Sequence, residues 1–295
     1  MRRPQQGFTL IELLVSLALG LSVMALALGA LLAGQRNFVL ARELALLQES
    51  ARFALDFLSA EIRQAGYTAC SVTTPLQQDG AASWFLARPG LGGYDYDAGR
   101  NSFPMEFRAA LRAGSDALAL RYGEPASSGA LENGQAVIRL ASDCSALALG
   151  RWQVSAELDS LAGPLLNLNS AAYYVGSSNT ASGVPALFRE RLALNATTHT
   201  LYTVAEELVA GVDQLQLLYG VDDFGNDGYA DHYLQAHAIT DWRRVVSVQL
   251  SVRLRTIEPV YPSVRAYAPW PGEGSASDRY LRQSFTTTVA LRNLR

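Results

Sequence analysis

The chain has 295 residues, 49% of them hydrophobic, and a formal net charge of −3. These values exclude a disordered tail protein, a collagen-like fibre and a multi-span membrane protein. No basic patch or stripe appears in the sequence, which argues against nucleic acid as a partner. All 24 basic residues are arginine, so Schiff-base and phosphate-loop lysine chemistry is excluded. Only His199, His232 and His237 and two cysteines remain as reactive side chains. A non-enzymatic role is expected.

The first seven residues, MRRPQQG, are polar and basic, and residues 8–34 form an apolar run whose one ionisable side chain is Glu12. Roughly 20 residues suffice to span a bilayer core, so the run predicts a single transmembrane helix. Arg2 and Arg3 predict a cytoplasmic N-terminus. A secretory signal peptide is a poor fit, because its apolar core is shorter, about 7–15 residues. A plain anchor fits the length but gives Glu12 no purpose, although an intramembrane carboxylate costs about 2.5–3.5 kcal/mol on insertion scales. The string Gly7-Phe8-Thr9-Leu10-Ile11-Glu12 resembles the processing site of a type IV prepilin. The resemblance implies cleavage after Gly7 by a dedicated peptidase at the cytoplasmic membrane face and N-methylation of Phe8. It gives Glu12 a task in subunit register. The cationic amine on one subunit would pair with Glu12 of a neighbour, since two charges in hydrocarbon are tolerable only together.

From Arg42 the pattern turns amphipathic. Leu44, Leu47, Ala51, Leu55, Leu58, Ile62 and Ala65 recur at spacings of three and four, one stripe of a helix. Arg42, Glu49, Arg52, Asp56, Glu61 and Arg63 lie off it, and Gly66 is a good stop. One long helix is therefore expected over residues 8–65. Residues 1–7 read as a leader, 8–34 as the membrane and filament-core half, 35–65 as the amphipathic half, and 66–295 as an exported head.

The stretches at Gln48 to Leu58 and Glu61 to Tyr67, with Cys70, are similar to the PilW family of type IV pilus minor pilins. The likeness recurs more loosely from Tyr219 to Asp231. It implies a chain held in the inner membrane with its head in the periplasm, later moved to the pilus at the cell surface. The implied partners are the prepilin peptidase, the inner-membrane assembly platform, other minor pilins and the major pilin. The implied place is a tip complex that primes polymerisation. The J-type pseudopilins of type II secretion share the layout and are the alternative. A membrane-anchored calcium-dependent adhesin or an exported enzyme is the alternative from another class.

The head reads as α+β and type IV pilin-like, a mostly antiparallel sheet packed on the distal half of the helix. Val246, Val248, Leu250, Val252 and Leu254 alternate with polar residues, as do Leu281, Phe285, Val289 and Leu291, predicting half-buried strands. Shorter candidates are 118–122, 137–140, 201–204 and 215–221. Loops are expected at 89–100, 124–134, 177–185 and 269–277. Residues 70–200 carry no readable motif. Cys70 and Cys144 fall on the exported side, where disulfides persist. Their pairing is expected, at about 4.5 kcal/mol in the chain-entropy model; two buried thiols are the alternative.

The acidic segment from Asp222 to Asp231 is the second constellation. Asp223, Asp227, Gly228 and Asp231 fall at the first, fifth, sixth and ninth places of a calcium loop, but Leu234 stands where the closing glutamate belongs. Calcium held by Asp223, Asp227 and Asp231 is one reading. An Asp, Asn and Gly-rich turn is the other. The pairs Glu206-Glu207 and Asp222-Asp223 read as solvated carboxylates, and His232 and His237 as surface or loop residues.

Overall fold

The computed structural model describes residues 9–67, 90–96, 111–125, 136–140, 147–149, 165–195, 197–198, 200–267, 270 and 276–293. The chain divides into two compact units, Met1–Leu46 and Leu47–Arg295. Helix α1, Leu10–Gln64, begins in the first unit and ends in the second.

Over residues 13–34 α1 is apolar on every side, and its leucines, valines and Met24 are exposed. A helix with no polar face suits a lipid environment. Ser16 and Ser22 turn their hydroxyls back to the carbonyls of Leu13 and Ala18, at 2.9 and 2.8 Å. Their polar atoms are thus satisfied inside the helix, as a bilayer requires. Among the described residues α1 is the one helix long and apolar enough to cross a membrane.

In the second unit α1 buries Leu47, Ala51, Ala54, Leu58, Ser59 and Ile62. The expected stripe is right in phase, with Leu55 only partly buried and Ala54 added to the core. Gly66 ends the helix as expected, with φ at 79°. Its N–H donates to the Arg121 carbonyl at 2.9 Å and ties the helix end to the strand Ala117–Pro125.

The strands are β1 Leu91–Tyr94, β2 Ala117–Pro125, β3 Ala136–Leu140, β4 Leu147–Leu149, β5 Leu165–Ser177, β6 Pro185–Asn195, β7 Thr200–Ala210, β8 Val212–Val221, β9 His232–Leu234, β10 Val245–Arg255, β11 Arg265–Tyr267, β12 Ala276–Asp278 and β13 Arg282–Ala290. All described pairings are antiparallel. β5 organises the larger sheet: β2 lies along one side, and the other side takes β3 near its start and β6 near its end. β1 and β4 extend β2 and β3, and β7 extends β6. The second sheet runs β13-β10-β8-β9, and β11 pairs with β12.

Gly211 forms the corner between the sheets. Its φ is 84°, and a Cβ there would meet the Arg255 carbonyl oxygen at 2.7 Å. Its N–H donates to Pro185 and its carbonyl accepts from Arg255.

Register explains the core. Leu215, Leu217 and Tyr219 of β8 stand opposite Val252, Leu250 and Val248 of β10, which stand opposite Phe285, Thr287 and Val289 of β13. These apolar rows share one cluster with Leu47, Ala51, Ala54, Leu58 and Ile62 of α1. Alternation made β8, β10 and β13 legible. β5 and β6 were not expected. Nor was β1, which lies inside the anticipated loop at 89–100, or β12, which overlaps the one at 269–277.

Three carboxylates, of which Asp116 and Asp213 are buried, fix this packing. Glu61, expected among the solvated positions, instead accepts hydrogen bonds at Oε2 from Tyr122 (2.9 Å) and Tyr173 (2.8 Å). Burial first, then the charge of Glu61, pushes both phenols up and keeps them protonated donors. Asp213, with no exposed side-chain surface, receives Arg112 at 2.7 Å, Arg253 at 3.0 Å and Arg282 at 2.8 Å. Tyr267 covers the guanidinium of Arg282 at 3.8 Å, and Tyr280 that of Arg255 at 4.3 Å. Asp116 accepts from the N–H of Leu217 at 2.9 Å and of Tyr96 at 3.1 Å.

Burial outweighs those two donors and raises Asp116 from 3.8 to about 7. The native state then holds the proton more tightly than the unfolded chain. Stability from this group is full below about pH 4, falls as pH rises to about 7, and is flat beyond. Asp116→Asn, which mimics the neutral acid, should abolish that slope. Urea midpoints at pH 4.5 and 7.5 check it. The wild type is expected to lose on the order of a few kcal/mol over this range that the variant keeps.

Candidate functional site

Two segments carry features that packing alone does not demand. The first is the start of α1. Thr9 precedes the first helical residue, and its carbonyl accepts the N–H of Leu13 at 3.2 Å. The Thr9 hydroxyl accepts the N–H of Glu12 at 3.3 Å. In return Glu12 Oε2 accepts the N–H and the hydroxyl of Thr9, both at 2.9 Å. This is a capping box, in which residues three apart satisfy each other's free groups at a helix N-terminus. The signature was legible as Thr-x-x-Glu, but the sequence reading considered Glu12 only as a partner for a neighbour's amine. Both Thr9 donors converge on Oε2. The other expected residues of this segment, Gly7 and Phe8, lie outside the described residues, as do Cys70 and Cys144 with their expected disulfide.

The second segment is the acidic loop between β8 and β9. The expected calcium ligands Asp223, Asp227 and Asp231 are not gathered round a common point. Asp231 Oδ2 accepts the N–H groups of Asp223 and Phe224, both at 2.8 Å. Asp227 Oδ1 accepts from the N–H of Tyr229 at 3.0 Å, and buried Asp222 from that of Gly228 at 2.8 Å. Asp223 pairs with His232 at 3.1 Å and Arg244 at 3.3 Å. Among the described residues no group of three or more His, Cys, Asp or Glu side chains could hold a metal ion. The turn reading accounts for the loop: Asp222, Asp227 and Asp231 serve backbone N–H groups, and Asp223 pairs with His232 and Arg244. Gly225, Asn226 and Gly228 supply the positive φ angles, 91°, 51° and 92°.

Other acidic positions are also structural. Glu206 pairs with Arg189 and Arg191 at 2.6 and 3.1 Å, while Glu207 accepts from the Ser178 hydroxyl and the Asn179 N–H in the β5–β6 turn. His237 meets Asp95 at 2.8 Å. The reading of Glu206 and Glu207 as merely solvated is corrected, since their partners lie 15–29 residues away where spacing cannot reveal them; His237 keeps the exposed place expected of it.

Residues 2–33 match the model described as the Prokaryotic N-terminal methylation motif, and residues 172–293 match that of Type IV Pilus-assembly protein W. Over these two regions the chain is similar to type IV pilins of the PilW type. The PilW match begins within β5 and ends just after β13, so it spans β6 to β10 and the whole acidic loop. The methylation motif covers the capping box and most of the apolar half of α1. Together with that helix it supports membrane anchoring. Comparison with curated proteins and with solved structures found no match.

Proposed function

We propose that this chain is a minor pilin that is cut after Gly7 by the prepilin peptidase, N-methylated on Phe8 and assembled into a type IV pilus. Its role is structural rather than enzymatic. It joins other minor pilins in a tip complex that primes polymerisation of the major pilin through the inner-membrane assembly platform. The observation that carries this reading is Glu12, a carboxylate at the third helical residue of an otherwise apolar segment, inside a matched methylation motif. In the single chain Thr9 satisfies it. Cleavage after Gly7 would put a cationic amine one residue before Thr9, and a neighbour's amine could then meet Glu12 as a buried pair.

The test is Glu12→Leu in the full chain. The change removes about 2.5–3.5 kcal/mol of insertion cost, so anchoring should persist or strengthen. Recovery in sheared filaments should fall at least about tenfold, because the neighbour's amine loses its counter-charge. Wild-type recovery in filaments would contradict the reading.

A further inference from the structure

Phe224 and Tyr229 are 73% and 77% exposed. Among the described residues of the unit Leu47–Arg295 no other large hydrophobic side chain is as exposed. Both sit in the loop between β8 and β9, and Tyr233 of β9, at 41%, adds a third aromatic. Two rings on a loose loop would fold back or collapse onto apolar surface. Here the backbone holds them out. The N–H of Phe224 is pinned by Asp231, and that of Tyr229 by Asp227. The base of the loop is closed by Asp222 with Gly228 and by Asp231 N–H with Val221. Asp223 is fastened to Arg244 and His232. Four of the ten loop positions, Asp222, Asp223, Asp227 and Asp231, are anchoring aspartates.

From this we infer that the loop is a docking knob whose aromatic pair, Phe224 and Tyr229, inserts into an apolar cleft with a basic rim on another pilus subunit. Exposed aromatics held in one conformation are what interface hot spots are made of, since little entropy remains to be lost on binding. Charge selects the partner's chemistry. Asp223, Asp227 and Asp231 flank the rings along the chain and stay exposed, Asp223 in a pair with Arg244 and Asp227 and Asp231 bonded to backbone N–H groups. An anionic lipid surface or a nucleic acid would be repelled by them. Arginine or lysine on a protein rim would be attracted. The inference rests on the pilin reading above, and the test separates the two.

The experiment uses full-length chain in cells that make the pilus. A photoreactive phenylalanine analogue at position 224 reports the neighbour, and the variant Phe224→Ala/Tyr229→Ala reports the need for the rings. The alanine pair leaves every anchoring carboxylate in place, and Phe224→Tyr/Tyr229→Phe serves as the conservative control. The expected result is a cross-link from position 224 to an identified pilus subunit other than this chain, on a peptide bearing basic residues. Recovery of the alanine pair in filaments should fall about tenfold while its membrane level holds, and the control should incorporate normally. Cross-links to lipid, to a carbohydrate or to a second copy of this chain would overturn the inference, as would normal incorporation of the alanine pair. Wild-type chain missing from filaments would overturn the pilin reading itself, and the inference with it.

Discussion

Asp213→Ala is expected to cause the largest loss of stability of any single substitution in the head, about 3–5 kcal/mol. The carboxylate is fully buried and receives three arginines, two of them, Arg253 and Arg282, with side chains only 3% and 7% exposed. Removing it leaves guanidinium groups in a dry site without their shared counter-charge. Arg282 keeps Asp278, at 2.7 Å, but Arg112 and Arg253 lose this carboxylate. At roughly 2–4 °C per kcal/mol for a domain of this size, the melting temperature should drop by about 10 °C. Thermal unfolding of the full chain in detergent, followed by near-ultraviolet dichroism, measures it. Asp213→Asn keeps an acceptor of the same shape and should lose less. A drop of only 1–2 °C in the alanine variant would show that the arginines find other partners.

The second large effect belongs to Glu61. Glu61→Ala strips the acceptor from two phenols at once, Tyr122 and Tyr173, of which Tyr173 is fully buried. Each orphaned hydroxyl costs about 1–3 kcal/mol, so a combined loss of about 3–4 kcal/mol is expected. Tyr173→Phe alone should cost about 1 kcal/mol and should make the later loss of Glu61 cheaper. Urea unfolding of the two single variants and the double variant supplies the cycle. Additive losses would mean that the carboxylate and Tyr173 do not share one bond. The network also fixes how α1 meets β2 and β5, since Tyr122 lies in β2 and Tyr173 in β5, and Arg189 of β6 packs over Phe57 of the same helix at 5.7 Å. Weakened protection of the helix amides near Glu61 is expected to accompany the loss of stability.

What the sequence made legible follows from where the information is local. Apolar residues at helical spacing placed the buried face of α1, and Gly66 marked its end, because both signals lie within a few residues. Strict alternation gave β10 and β13. β5 and β6 escaped because both of their faces are buried: Ala172, Tyr173, Tyr174 and Val175 all have no exposed surface, as do Ala186, Leu187 and Phe188. Strands covered on both sides lose the period of two. The acidic residues were read by spacing alone, and spacing cannot tell a cation cage from a set of turn anchors. Only the positions of the backbone N–H groups decide between them. Glu61 and Glu206 looked solvated because their partners lie 61 and 112 residues away for the first, and 15 and 17 for the second. The family models match residues 2–33 and 172–293, which hold the methylation motif and the looser stretch from Tyr219 to Asp231; the stretch from Gln48 to Cys70, which carried most of the PilW resemblance, lies in neither match.

The central claim is that residues 1–7 are removed and the remaining chain enters a filament. Intact-mass measurement of this protein from sheared surface filaments and from the inner membrane tests it most directly. The account predicts a filament species with the mass of residues 8–295 plus one methyl group. A full-length chain confined to the membrane would contradict it, and Glu12 would then be only the capping partner of Thr9 in a plain anchor.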